Sequence, residues 1–180
     1  GDIDPATDIE FVNSEFLLSD LSIIESRIEK LEKSNMKMNK PEEKKELELL
    51  NKCKAHLEEE QPLRLLDLYP EEAKLLRGFQ FLSLKPIVYV INIAEDDIPN
   101  TEKIIQQYKK LLTPQTALTA LCAEIEKEIA ELETDEQEMF MEELGIKEPA
   151  LNNVIRKSYE LLGLISFFTV GEDECRSWTV

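Results

Sequence analysis

Cysteine, glycine, histidine and tryptophan are all scarce in this 180-residue chain, at three, five, one and one residues. Cys53, Cys122 and Cys175 lie far apart with no Cys-x-x-Cys pair, and the single histidine is His56. No disulfide scaffold or zinc cluster is legible, and no metal site is expected. The glycines, Gly1, Gly78, Gly145, Gly163 and Gly171, never meet the spacing of a phosphate-cradling loop, which also needs an adjoining Lys and Ser/Thr. Long apolar runs are missing too: the longest is Ile87 to Ile91, and the opening Gly-Asp-Ile-Asp-Pro has neither a basic nor an apolar leader character. A membrane span and a secretion signal are therefore not expected, and the cytoplasm is the expected compartment. Positive charge is short as well. With 21 Lys+Arg against 38 Asp+Glu the net charge is -17, a surface that repels phosphate and argues against DNA binding through bulk charge.

Catalytic side chains do not stand out. His56 sits beside Glu58 and Glu59 with no nucleophile next to it and reads as a surface histidine. Among 38 acids any Glu-x-x-Glu is expected from composition alone, so no acid/base pair and no catalytic residue is assigned.

What is present is a core and a clear pattern. Apolar residues make up 42% of the chain, enough for one or two globular units that bury roughly 70% of the unfolded surface. Leu17, Leu21, Ile24, Ile28 and Leu31 alternate steps of four and three, the seam of a coiled coil. The stretch Ser34 to Lys40 breaks the pattern and Pro41 opens a second helix carrying Leu47, Leu50, Cys53 and Leu57. An antiparallel helical hairpin is predicted, its outer faces laced by Glu29/Lys33 and Glu48/Lys52 at i,i+4. Beyond it, Pro70 reads as a helix start and Gly78 as a stop. Lys85 to Asn92 is a β-branched run suited to a strand buried on both faces, Ile104 to Leu112 has helical spacing, and Thr116 to Cys122 is a second strand. Strand, helix, strand implies a parallel crossover. A helix from near Ile125, a capping box Thr134-x-x-Gln137 opening a helix that ends at Leu144-Gly145, an amphipathic helix from Leu151 to Ile165 and a strand Ser166 to Val170 complete the reading.

In parallel sheets ligands gather at the carboxyl ends of strands. Here Asn92-Ile93-Ala94-Glu95 follows one strand and Cys122-Ala123-Glu124 the other. An Asn amide, a Glu carboxylate and backbone N–H groups together suit the edge of a purine base, although strand ends are commonly polar for no such reason.

Larger motifs give those residues a context. Asp4-Pro5-x-x-Asp8-Ile9-Glu10, the helical stretch from Asp20, Lys85 to Glu95, Tyr159 to Gly171 and Glu174 to Thr179 together make the chain resemble the central part of a YchF-type, or Obg-like, ATPase. This is a branch of the translation-factor class of P-loop GTPases. The resemblance runs over essentially the whole chain. It implies an α/β fold: the second half of a Ras-like P-loop NTPase domain with a partial parallel sheet, plus an inserted antiparallel coiled-coil hairpin. Residues 1–15 would end one segment of the nucleotide-binding domain, 16–68 would be the insertion, and 69–180 the second half of that domain, up to a junction with a TGS domain.

It also implies roles. Asn92 and Glu95 match the branch's Asn-x-x-Glu form of the base motif, with Ile93 between them, and point to ATP accepted alongside or above GTP. Cys122 and Ala123 correspond to the third base motif, of which only the Ala is kept, so a backbone N–H contact is expected there. The family's phosphate loop and magnesium-binding motif find no counterpart in these 180 residues. The resemblance implies ATP or GTP with magnesium as the cofactor of the full-length protein, and this chain alone is expected to bind nucleotide weakly and to lack hydrolysis. The implied partner is the ribosome or its RNA. The hairpin carries a local lysine cluster, including Lys37, Lys40, Lys44 and Lys45, that offers the contact. The competing reading is a non-catalytic module whose acidic hairpin docks a protein partner.

Overall fold

A computed structural model describes residues 4–35 and 40–180. The chain forms two compact units, 1–86 and 87–180.

In the first unit, α1 (Pro5–Asn35) and α2 (Pro41–Glu58) pack side by side. The Asp4 carboxylate accepts from the Ala6 N–H at 3.2 Å and the Thr7 hydroxyl at 2.6 Å. These bonds tie the first turn, with Pro5 pre-set for the opening position, so α1 begins well before the Leu17 seam. Ile24 and Leu31 are buried against Leu49, Leu50, Cys53 and Leu57, while Leu17, Leu21 and Ile28 are half-buried beside them. Each fully buried aliphatic side chain contributes about 1.5–3 kcal/mol. Arg27 grips Glu46 through two bonds of 2.7 and 2.9 Å and Lys54 reaches Glu25 at 2.8 Å, which sets the helices antiparallel. The returning chain, with α3 (Pro70–Leu76), adds Leu63, Leu76 and Phe81 to the same core.

Two expectations for this unit fail on local competition. Glu29 and Lys33 do pair, but Lys52 turns away from Glu48 to the Asp67 carbonyl at 2.8 Å and to Glu72 at 3.1 Å. An exposed i,i+4 pair worth about 0.3 kcal/mol is outbid by two acceptors on the chain passing below. Nor does Gly78 stop α3. A 3-10 turn, Arg77–Phe79, runs through it, and the left-handed residue is Gln80 (φ 56°), whose side-chain amide donates to the Arg77 carbonyl at 2.7 Å.

In the second unit, β1 (Ile87–Asn92) and β2 (Thr116–Leu121) pair in parallel, from Ile87 opposite Thr116 to Asn92 opposite Leu121. Parallel neighbours need a crossover; a 3-10 turn (Glu95–Asn100) and α4 (Thr101–Tyr108) supply it. Then come α5 (Ala123–Glu131), α6 (Thr134–Glu143) and α7 (Ala150–Leu162), the last packed on β2 and β1. Strand β1 is not buried on both faces: Ile91 is inside, but Val90, on the opposite face, is 44% exposed.

The capping box at Thr134 is also not formed. Thr134 is already helical, and the Gln137 amide instead donates at 2.9 Å to the Leu132 carbonyl, an acceptor left over where α5 ends. Gly145 and Gly163 close α6 and α7 in the left-handed region, at φ 69° and 66°, where a side chain would be strained. Strands β3 (Ser166–Val170) and β4 (Cys175–Thr179) form an antiparallel pair of their own.

Candidate functional site

The alternation of β1 places Ile91 in the core and leaves Asn92 exposed at the strand's carboxyl end. One residue further, the Ile93 N–H still reaches the Leu121 carbonyl at 2.9 Å. The Ile93 side chain packs against the buried cluster of Cys122, Ile125 and Ile129. The backbone on both sides of Asn92 is thus fixed, and its amide stands at the tip of the parallel pair. Its Oδ1 accepts the Ala123 N–H at 3.0 Å. Ala123 is the first residue of α5, whose N-cap, Cys122, makes no side-chain cap bond. Asn92 therefore caps α5 from a neighbouring strand, satisfying one of the N–H groups that every helix start leaves over. With Oδ1 accepting, the Asn92 Nδ2 is the group left to donate outward.

The remaining base-motif residues divide by exposure. Glu95 opens the 3-10 turn after β1 and is exposed, with no hydrogen bond to its side chain among the described residues. Cys122 is buried, so what its loop presents is backbone rather than thiol. Asn92 and Ala123 are joined directly, Ile93 and Cys122 pack together in the adjoining apolar cluster, and Glu95 is exposed on the turn that follows β1. The set offers an amide donor and a carboxylate acceptor, which is hydrogen-bonding chemistry without a nucleophile. A cavity of about 400 Å³ adjoins it, lined by Ile93, Ile98, Ile105, Cys122, Ile125 and Lys147 among others; Asn92, Glu95 and Ala123 do not line it.

In the first unit, Lys40 pairs with Glu43 at 2.9 Å. Lys44 and Lys45 are exposed in the first turns of α2, without an ion pair among the described residues. Lys37 lies outside the described residues. Of the other hairpin lysines, Lys33, Lys52 and Lys54 are each paired with a glutamate, which trims the basic cluster the sequence suggested. No group of three or more His, Cys, Asp or Glu side chains is arranged for a metal ion among the described residues. No described helix is long and apolar enough to cross a membrane.

One residue of this region escaped the sequence reading. Glu126, on the first turns of α5, accepts the Ala150 and Leu151 N–H groups at 2.8 and 3.2 Å. Its partners are backbone atoms at the start of another helix, which leave no mark in the sequence.

No family model matches the chain. Among curated proteins it is 40% identical over 182 residues to the ribosome-binding ATPase YchF of Bacillus subtilis, covering 99% of this chain and 50% of that protein. It is 41% identical over 180 residues to the ribosome-binding ATPase YchF of Escherichia coli O157:H7, covering 100% of this chain and 49% of that one. The chain thus spans about half the length of the curated relatives it matches. Among solved structures, the YchF GTPase of Schizosaccharomyces pombe superposes with a TM-score of 0.82 at 28% identity, over 100% of this chain and 50% of that one.

Proposed function

We propose that this chain, a YchF-family sequence along its whole length, is the base-recognising half of a protein that hydrolyses ATP or GTP and associates with the ribosome. The observation that carries this reading is the 3.0 Å bond between Asn92 Oδ1 and the Ala123 N–H, which joins the ends of two parallel strands where a purine edge would lie. Asn92 donates to a ring nitrogen through Nδ2, Glu95 accepts from an exocyclic amine, and the Ala123 N–H holds the Asn92 amide in place through Oδ1. Ile93 and Cys122 pack in the adjoining apolar cluster. A carboxylate one methylene longer than aspartate at position 95 favours adenine alongside guanine.

The phosphate loop and the magnesium ligands belong to the half of the relatives that these residues do not match. Magnesium there would offset the charge of the transferring phosphoryl group. Phosphate contacts supply most of the affinity in such sites, so the 180-residue chain alone is expected to bind nucleotide weakly and not to hydrolyse it. We place the ribosome contact on an arm formed by residues 16–68, through Lys37, Lys40, Lys44 and Lys45, and the second half of the nucleotide domain in 69–180.

Calorimetric titration with ATP and GTP tests the site. In the full-length protein, meaning a chain of the relatives' length that includes these 180 residues, Asn92→Ala should weaken purine binding by about 1–3 kcal/mol, the cost of an unpaired polar partner. Glu95→Asp should move preference toward guanine. An ATP-to-GTP affinity ratio unchanged by Glu95→Asp removes the specificity role. A dissociation constant near micromolar for the 180-residue chain alone would mean that it holds phosphate contacts this reading denies it.

A further inference from the structure

We infer that Glu126 is a positioning residue for the base-recognition loop, an inference that rests on the role proposed for Asn92 and Ala123. Two helix starts in the second unit are capped in series by side chains from elsewhere. Asn92 at the end of β1 caps α5 through Ala123. Glu126, three residues further along α5, caps α7 through Ala150 and Leu151. The N-cap of α7 is Pro149, which makes no side-chain cap bond, so the carboxylate of Glu126 supplies what the helix lacks locally. Helix α7 in turn is seated on the sheet. It packs on β2 and β1, and the Asn153 amide donates to the hydroxyl of the buried Thr119 on β2 at 3.4 Å.

The consequence concerns the first turn of α5. A base that engages the Asn92 Nδ2 relies on the Oδ1–Ala123 bond to hold that amide, and so on where the start of α5 stands. Glu126 lies about 4.5 Å further along the helix axis, less than one turn away. Through it the helix start is fixed to α7 as well as to Asn92. Glu124 and Glu128 of the same helix are exposed, whereas Glu126 is half-buried, with both carboxylate oxygens committed to α7. Glu126 therefore sets where the Ala123 N–H stands relative to Asn92 without touching the base.

The test is a double-mutant cycle on ATP affinity in the full-length protein, with Asn92→Ala, Glu126→Gln and the pair. Glutamine keeps the shape of the side chain but turns an amide donor toward one of the two N–H groups. Glu126→Gln should lower ATP affinity about threefold to tenfold when Asn92 is present and less than about twofold when it is alanine, the non-additivity of residues acting through one contact. Affinity for inorganic tripolyphosphate, which has no base, should not change. Hydrogen exchange in the same protein should quicken for peptides spanning 121–127 and stay unchanged in β2, which also reads the effect if the nucleotide losses are small. Equal losses in both backgrounds, or a matching loss for tripolyphosphate, would overturn the positioning role and reduce Glu126 to a structural cap. An ATP affinity unchanged by Asn92→Ala alone would instead overturn the base-recognition reading itself.

Discussion

Replacing Asp20 with alanine should destabilise the first unit more than loss of any of its surface ion pairs. Asp20 sits on α1 with its side chain fully buried. Its two oxygens accept the Leu82 N–H at 2.9 Å and the Ser83 N–H at 2.7 Å, from residues 62 and 63 positions ahead. Around this bond the chain is pinned further: the Ser83 carbonyl accepts the Arg64 N–H at 3.0 Å, and the Ser83 hydroxyl accepts the Leu63 N–H at 3.3 Å. Hydrogen bonds to a charged acceptor contribute about 1.5–3 kcal/mol each, and alanine leaves at least the buried Ser83 N–H without an acceptor. Removing the carboxylate also relieves its own desolvation, so the net cost stays below the upper sum of the two bonds, at about 3–5 kcal/mol. Urea unfolding followed by far-UV circular dichroism measures it, because α1 and α2 hold 31 and 18 helical residues. With a slope of about 2 kcal/mol per molar, the midpoint should fall by about 1.5–2.5 M. Lys54→Ala, which breaks a partly exposed pair with Glu25, should cost no more than about 1 kcal/mol. A midpoint shift below about 0.5 M for Asp20→Ala, at unchanged slope, would refute the claim that this carboxylate pins the returning chain.

Burial pushes the Cys53 thiol up to about 11, and Cys175 is exposed. At about pH 8 a disulfide reagent should therefore label Cys175 promptly and Cys53 only after unfolding. The Glu72 carboxyl is held below its ordinary value by the Tyr69 N–H first, and further by Lys52. A depressed carboxyl stabilises the fold above its unfolded value and loses that contribution as pH falls through the folded value, so Glu72→Gln should flatten the decline in melting temperature between about pH 5 and pH 3. Reversing charge at Lys37, Lys40, Lys44 and Lys45 in the full-length protein should reduce ribosome co-sedimentation and shallow its salt dependence while leaving thermal stability nearly unchanged. Unaltered co-sedimentation would move the search for the contact to other parts of the protein.

Periodicity made most elements legible and left most contacts hidden. The seam from Leu17 to Leu31 and the β-branched run before Asn92 announced a helix and a strand because local sequence sets those spacings. The start of α1 at Pro5 was hidden, since the turn there is closed by Asp4 and Thr7 rather than by an apolar stripe. Strand β4 was read only as a motif: Cys175, Arg176 and Ser177 become a strand by pairing with β3 across the turn at Gly171. At the candidate site, Asn92 and Ala123 were legible as residue types at strand ends, but the bond between them depends on a register that no single segment encodes. Asp20 and Glu126 were invisible for a shared reason. Each carboxylate bonds to backbone N–H groups of a distant segment, and a backbone amide has no residue identity to read.

That register also explains how the site is fixed and yet open to a ligand. Asn92 is exposed because Ile91 is buried, so a one-residue slip of β1 would turn the amide into the core and carry Ile91 to the surface. The frame opposing such a slip is apolar: Ile91, Leu118, Ile125 and Ile129 are all buried, each contributing about 1.5–3 kcal/mol. The Asn92–Ala123 bond itself, at an exposed strand end, contributes only about 0.5–1.5 kcal/mol net. Placement therefore depends on the frame and not on the bond. The bond orients the Asn92 amide so that Nδ2 faces outward, while the core and the Glu126 contacts hold the strand ends and the start of α5.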